Sequence, residues 1–158
     1  MISQASIWST IIDTQPFLAA IAEQAGLPSL TLNNQNVCCL SAAGEIDIQI
    51  EADAESGQVL LLAPLGPLGE DASGSAARSL LAANFLFQGT RGESLSLDPD
   101  SRIVFLCAAL ELASVDTDFA VNWFIRFADT ARHWRSRWQS QPTEVSNLVP
   151  LPMSALRG

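Results

Sequence analysis

The chain has 158 residues, 48% of them hydrophobic and 16% charged, a composition that excludes a disordered polymer and fits one folded domain with a real core. Seventeen acidic residues stand against eight basic ones, all arginine, and the resulting net charge of -9 repels phosphate backbones, which sets nucleic-acid binding aside. No apolar run reaches the ~18 residues of a membrane-spanning helix. The opening MISQASIWSTIID lacks a basic start, so a soluble, cytoplasmic protein without membrane insertion is expected.

Taken in chain order, residues 3–25 have helical spacing, with Phe17, Leu18, Ile21, Ala22 and Ala25 recurring at threes and fours. Pro16 either kinks this segment or opens a new helix, and Gly26 with Pro28 stops it. The period then changes to two. Asn36 to Leu40 reads as a strand, and in Glu45 to Glu51 Ile46, Ile48 and Ile50 face one way with acids and Gln49 the other. Val59 to Ala63 forms a third, continuously apolar strand, and the short connections favour antiparallel pairing.

A second helix is expected over 75–88, with Ser73 or Ser75 as N-cap and Gly89 as C-cap. Ser94 to Asp98 and Arg102 to Ala108 follow as two strands about an Asp-Pro-Asp turn. The last helix starts at Asp116 and runs to Trp138, carrying a stripe of Phe119, Trp123, Phe127, Ala131, Trp134 and Trp138. Residues 1–138 thus form one α+β domain, helix-β-β-β-helix-β-β-helix, with an antiparallel twisted sheet flanked by helices. Residues 139–158 hold three prolines without a period and read as an extended or disordered tail.

Chemistry is sparse. Strand, glycine-rich loop and helix at 59–85 have the layout of a phosphate cradle, but Gly66, Gly69 and Gly74 are wrongly spaced, no lysine follows, and Glu70 with Asp71 would face the anion. His133, the single histidine, sits among arginines on a solvated helix face without a second triad motif. The acids at 45, 47, 51, 53 and 55 lack a calcium-loop pattern and read as a solvated sheet face. Cys38 and Cys39 point to opposite faces of a strand, so with Cys107 they read as buried reduced thiols, not metal ligands. RHWRSRW, which mixes base and aromatic, reads as core tryptophans with a solvated arginine face. No constellation supports an enzyme, and neither cofactor nor metal is expected.

Four segments, in this order, are similar to one family. AGLPSLTLNNQNVCCL (25–40) resembles its loop and first strand, and LLLAPLGPLG (60–69) its third strand. SLLAANFLFQGTRGESLSLDPDSRIVFLC (79–107) resembles its Leu-Leu-x-x-Asn helix, turn and hairpin, and FIRFADTARHW its last helix. The family is that of the class I type III secretion chaperones, the Tir chaperones. The resemblance implies a homodimeric, non-enzymatic chaperone of the bacterial cytoplasm. It would keep the N-terminal segment of a secreted effector unfolded and secretion-competent, and deliver it to the export apparatus, with the secretion ATPase as a candidate further partner. It also implies a dimer interface at Leu80, Leu81, Asn84, Phe85, Leu95 and Leu97. Effector contacts are implied at Phe17, Leu18, Ile21, Leu32, Val37, Ile46, Ile48 and Ile50, some of which must also be core. Two rival readings are a non-secretory adaptor of the same fold and a small-molecule enzyme with an unrecognised site.

Overall fold

The computed structural model describes residues 13–42, 45–53, 55–71 and 73–140, so the expected helix at 3–12 and the expected tail beyond 140 lie outside the described residues. The elements are α1 (Gln15–Gln24), β1 (Val37–Ala42), β2 (Ile46–Asp53), β3 (Gln58–Pro67), α2 (Ser75–Asn84), β4 (Ser94–Leu97), β5 (Ile103–Leu110) and α3 (Thr117–Gln139). Short 3-10 turns at Phe85–Phe87 and Leu112–Ser114 follow α2 and β5. The five strands form one antiparallel sheet in the order β1-β2-β3-β5-β4, so β1 and β4 are its edges.

Pro16 opens α1 rather than kinking it, because a first-turn residue needs no N–H partner. At the other end Gly26 takes a left-handed φ of 66°, and the N–H groups of Gly26 and Leu27 return to the carbonyls of Glu23 and Ala22. That pair of bonds is a Schellman cap, and it frees the chain to turn towards β1. Phe17, Leu18, Ile21 and Ala22 form the buried face of α1.

The alternation in β2 holds: Ile46, Ile48 and Ile50 are buried, and register places Ile50 opposite Leu61. β3 is longer than its apolar run suggests, and continues through Pro64, Leu65, Gly66 and Pro67 across an irregularity between Pro64 and Gly66. A bulge is where a strand tolerates a missing N–H. A Cβ on Gly66 would stand 3.3 Å from the Trp138 ring, whose Nε1 donates to the Pro67 carbonyl. The glycine admits the indole. Nothing about it serves an anion.

α2 ends at Asn84, not residue 88, because Leu86 and Phe87 adopt left-handed backbone. The expected serine caps are corrected in part: Ser73 Oγ accepts from Ser75 N–H at 3.3 Å, but neither serine is the cap residue. Gly74 occupies the cap position without a side-chain bond, and the carboxylate of Asp71 accepts from Ala76 and Ala77 instead. Those bonds, with Arg78 nearby, hold the Asp71 carboxyl below its ordinary range. Gly89 turns the chain back, donating to the Ala83 carbonyl, and a Cβ there would lie 2.9 Å from that oxygen. The Asn84 amide then pairs with β4 as a strand residue would, accepting from Leu95 N–H at 2.9 Å and donating to its carbonyl at 3.0 Å.

α3 starts where expected, with Asp116 Oδ1 accepting from Phe119 N–H at 2.7 Å. It packs across β3, touches β2 and β5, and leans on α1. Trp123, Phe127, Ala131, Trp134 and Trp138 are buried, whereas Phe119 at the start of the stripe is exposed. Trp134 donates from Nε1 to the Gly89 carbonyl at 3.0 Å, which ties the loop after α2 to this helix.

In that loop Glu93 is 1% exposed, and neither carboxylate oxygen has a hydrogen bond, although Arg126 Nε stands 3.6 Å from Oε1. Burial pushes its carboxyl up, with the backbone and Arg126 opposing. A raised value in the folded state means this group favours folding at low pH and ceases to do so as pH rises through it. Glu93→Gln is therefore expected to stabilise the protein at neutral pH by about 1 kcal/mol, with the gain vanishing at about pH 4. Urea titrations of both proteins at the two pH values check this.

Candidate functional site

β1 is an edge strand whose ladder bonds alternate between partner and edge. Asn36 C=O accepts from Ala52 on β2, while Val37 turns both its groups to the edge, where Asn33 satisfies them. By that alternation Cys39 and Ser41 direct their N–H and C=O groups outward from β2. Their side chains share a sheet face with Asp47 and Gln49, opposite to the helices. Leu40 and Ala42 turn the other way, beneath α1 and α3.

Beside this edge runs a groove of roughly 420 Å³ between the end of α1, β1 and the middle of α3. Leu27, Leu40, Val121, Phe124, Ile125 and Ala128 give it an apolar floor and wall. Leu27 and Ile125 are exposed large apolar side chains, an arrangement that water disfavours. Asp129 and Arg132 form the rim. They pair with each other, and Arg132 also reaches Glu45 at 4.0 Å. The site offers backbone donors and acceptors next to an apolar trough, which suits an extended peptide with apolar residues at alternate positions.

The eight expected effector residues divide by burial. Phe17, Leu18, Ile21, Ile46, Ile48 and Ile50 are all buried in the core, and of these only Ile21 also lines the groove. Leu32 and Val37 are half-buried, near the start of β1. Sequence reasoning missed the groove residues Leu27, Leu40, Val121, Phe124, Ile125 and Ala128. Val121, Phe124, Ile125 and Ala128 recur at threes and fours beside the main α3 stripe, and that second stripe is the available signal.

The six expected dimer residues also divide. Leu81 and Phe85 are 71% and 70% exposed and Leu97 is exposed as well, while Leu80 and Leu95 are buried within the chain. Asn84 is held by Leu95, as above. Leu86 and Phe87, both exposed, extend this patch beyond what the sequence pointed to. It lies at the opposite sheet edge from the groove, beside β4.

None of the three cysteines is fully buried, against expectation: Cys38 packs against the core from the edge strand and is half-buried, Cys107 on the outer sheet face is half-buried, and Cys39 on that face is exposed. Burial pushes the Cys38 and Cys107 thiols up, away from the reactive thiolate. His133 is exposed, edge-on to Trp134. Among the described residues no group of three or more His, Cys, Asp or Glu is placed to hold a metal, and no helix is long and apolar enough to cross a membrane.

The sequence profile of the Tir chaperone protein (CesT) family matches residues 16–135, and the chain belongs to that family. No curated protein sequence matches it. Among solved structures it is similar to the ExsC–ExsE complex, with TM-score 0.65 and 23% identity over 78% of this chain and 91% of that one. It is also similar to the HopA1–SchA chaperone–effector complex, with TM-score 0.62 and 17% identity over 76% and 91%. A third is the ExoU–SpcU complex from the type III secretion system of Pseudomonas aeruginosa, with TM-score 0.61 and 23% identity over 76% and 93%. At these identities the likeness establishes the fold, an antiparallel five-stranded sheet flanked by three helices.

Proposed function

We propose that the protein is a type III secretion chaperone whose β1 edge and α1–α3 groove hold the N-terminal segment of a secreted effector in an extended, unfolded state. The observation that carries this reading is the adjacency of outward-facing backbone groups on Cys39 and Ser41 to an apolar groove. Strand addition supplies affinity through the backbone, and the groove selects alternate apolar side chains. Family membership and the chaperone–effector complexes among its structural neighbours support it. Leu32 would extend the contact, Val37 lies on the outer face with Cys39 and Ser41 and would meet the client only past the groove, and Phe17, Leu18, Ile46, Ile48 and Ile50 would be the rigid support beneath.

On this reading the protein is a homodimer joined through Leu81, Phe85, Leu86, Phe87 and Leu97, which places the grooves of the two copies outward. It works in the bacterial cytoplasm without catalysis of its own and passes its client to the export apparatus, including the secretion ATPase. The acidic surface favours basic client segments.

The test is recovery of tagged protein from its own bacterium, followed by limited proteolysis and mass spectrometry. The expected result is a protected N-terminal segment of a secreted protein. Ile125→Asp, a change at an exposed position that shifts stability by under about 0.5 kcal/mol, lowers its recovery roughly tenfold or more. Retention of a folded domain, equally by wild type and variant, rejects the reading in favour of an adaptor.

A further inference from the structure

The chain continues for residues 141–158 beyond the described part of α3, and within them lies the stretch Val149-Pro150-Leu151-Pro152-Met153. Apolar residues and prolines alternate there, and a residue before proline is driven to extended backbone. A strand with proline at every second position keeps donors on one edge only. Val149, Leu151 and Met153 hold all the N–H groups, and their side chains share one face.

That pattern matches the β1 edge in one orientation. Cys39 and Ser41 direct their backbone groups outward while their side chains lie on the face away from the groove. In an antiparallel pair the added residues that bond to them carry side chains on that same outer face. Placing Val149, Leu151 and Met153 in the groove would then set prolines against the edge and lose their donors. In a parallel pair the bonding residues fall on the opposite face. Pro150 and Pro152 then stand level with Cys39 and Ser41 and need no N–H. Cys39 N–H would then donate to Val149 C=O, Leu151 N–H to Cys39 C=O, Ser41 N–H to Leu151 C=O and Met153 N–H to Ser41 C=O. The three apolar side chains would enter the trough formed by Leu40, Ile125 and Ala128.

We infer that residues 149–153 of this chain occupy the β1 edge and the groove in parallel register with β1, as an internal competitor that a client must displace. The reach allows it. Arg132 at the groove rim is about 12 Å of helix from Ser140, and residues 141–148 extend to about 26 Å. The prolines also leave an outer edge that refuses a further strand, which protects an otherwise open sheet from aggregation. The inference rests on the groove being the client site, and the test separates the two.

Amide hydrogen exchange is followed residue by residue in the full chain and in full-length Leu151→Asp, alongside binding of a synthetic peptide of residues 146–155. In the wild type the Cys39 and Ser41 amides are expected to exchange about tenfold or more slowly than in the variant, at a rate independent of protein concentration. The variant is expected to bind the peptide at least about tenfold more tightly than the wild type does. Fast exchange of both amides in the wild type overturns the inference, as does protection that fades on dilution, which would assign the tail to a second copy. Peptide binding of equal strength to both proteins overturns it too. The groove reading fails separately, when Ile125→Asp leaves recovery of the effector segment unchanged.

Discussion

The double variant Leu81→Asp/Phe85→Asp is expected to be a folded monomer, and the wild type, through the proposed interface, a dimer. Both side chains are about 70% exposed, and with Leu86, Phe87 and Leu97 they form an apolar patch at the β4 edge of the sheet. Contiguous apolar surface of this kind marks an interface. Two like carboxylates facing their own copies across a twofold axis would each be desolvated and repelled, at a cost of several kcal/mol for the association. The fold should survive, because Leu80 and Leu95, the buried residues of this region, and the Asn84–Leu95 pairing are untouched. Light scattering at micromolar concentration, with circular dichroism as the folding control, decides it. A wild-type monomer, or a variant that remains dimeric, removes this surface from the interface.

Trp134→Ala is expected to be the most damaging single change of those considered, at about 3–5 kcal/mol, a large part of a small domain's total stability. The indole is buried against the core, donates to the Gly89 carbonyl, and carries Arg137 over its ring at 5.1 Å. Its loss opens a cavity and releases the loop that leads from α2 to β4. Trp134→Phe separates the two contributions. It keeps most of the volume and strips one donor from a part-buried carbonyl, so it should cost about 1–2 kcal/mol. Urea denaturation of both variants measures the difference. Equal losses would mean the hydrogen bond, not the packing, dominates.

The elements with strong local periodicity were legible in the sequence. Ile46, Ile48 and Ile50 announced β2, and Asp116 with the tryptophan stripe announced α3, because both patterns record burial of one face directly. What failed was local reading where tertiary contacts decide. The apolar period alone stopped β3 at Ala63, yet pairing with β5 carries the strand through Pro64 to Pro67. Phe85 to Phe87 read as helix, yet the return of Gly89 to Ala83 and the Asn84 bridge to β4 force left-handed backbone there. The sheet order, with β5 inserted between β3 and β4, joins residues far apart in sequence and leaves no periodic trace.

The candidate site was legible only in part, for the same reason. Periodicity set the apolar faces of α1 and β2 against solvated ones but could not separate packed from client-facing positions, so six expected contact residues, three on α1 and three on β2, lie in the core. The groove arises where three separate elements diverge, and only its α3 wall carries a sequence signature. The open edge of β1 depends on strand order and on the Asn33 turn, which satisfies Val37 and leaves Cys39 and Ser41 facing outward.

The most direct test is hydrogen exchange on the full-length Leu151→Asp chain, in which the tail no longer competes for β1, with and without the effector segment recovered from its own bacterium. If the client runs along β1 and over the groove, binding slows exchange in β1, at the C-terminal end of α1 and in α3 between residues 121 and 132. Protection confined to α2 and β4, with β1 unchanged, would contradict the assignment of the groove as the client site.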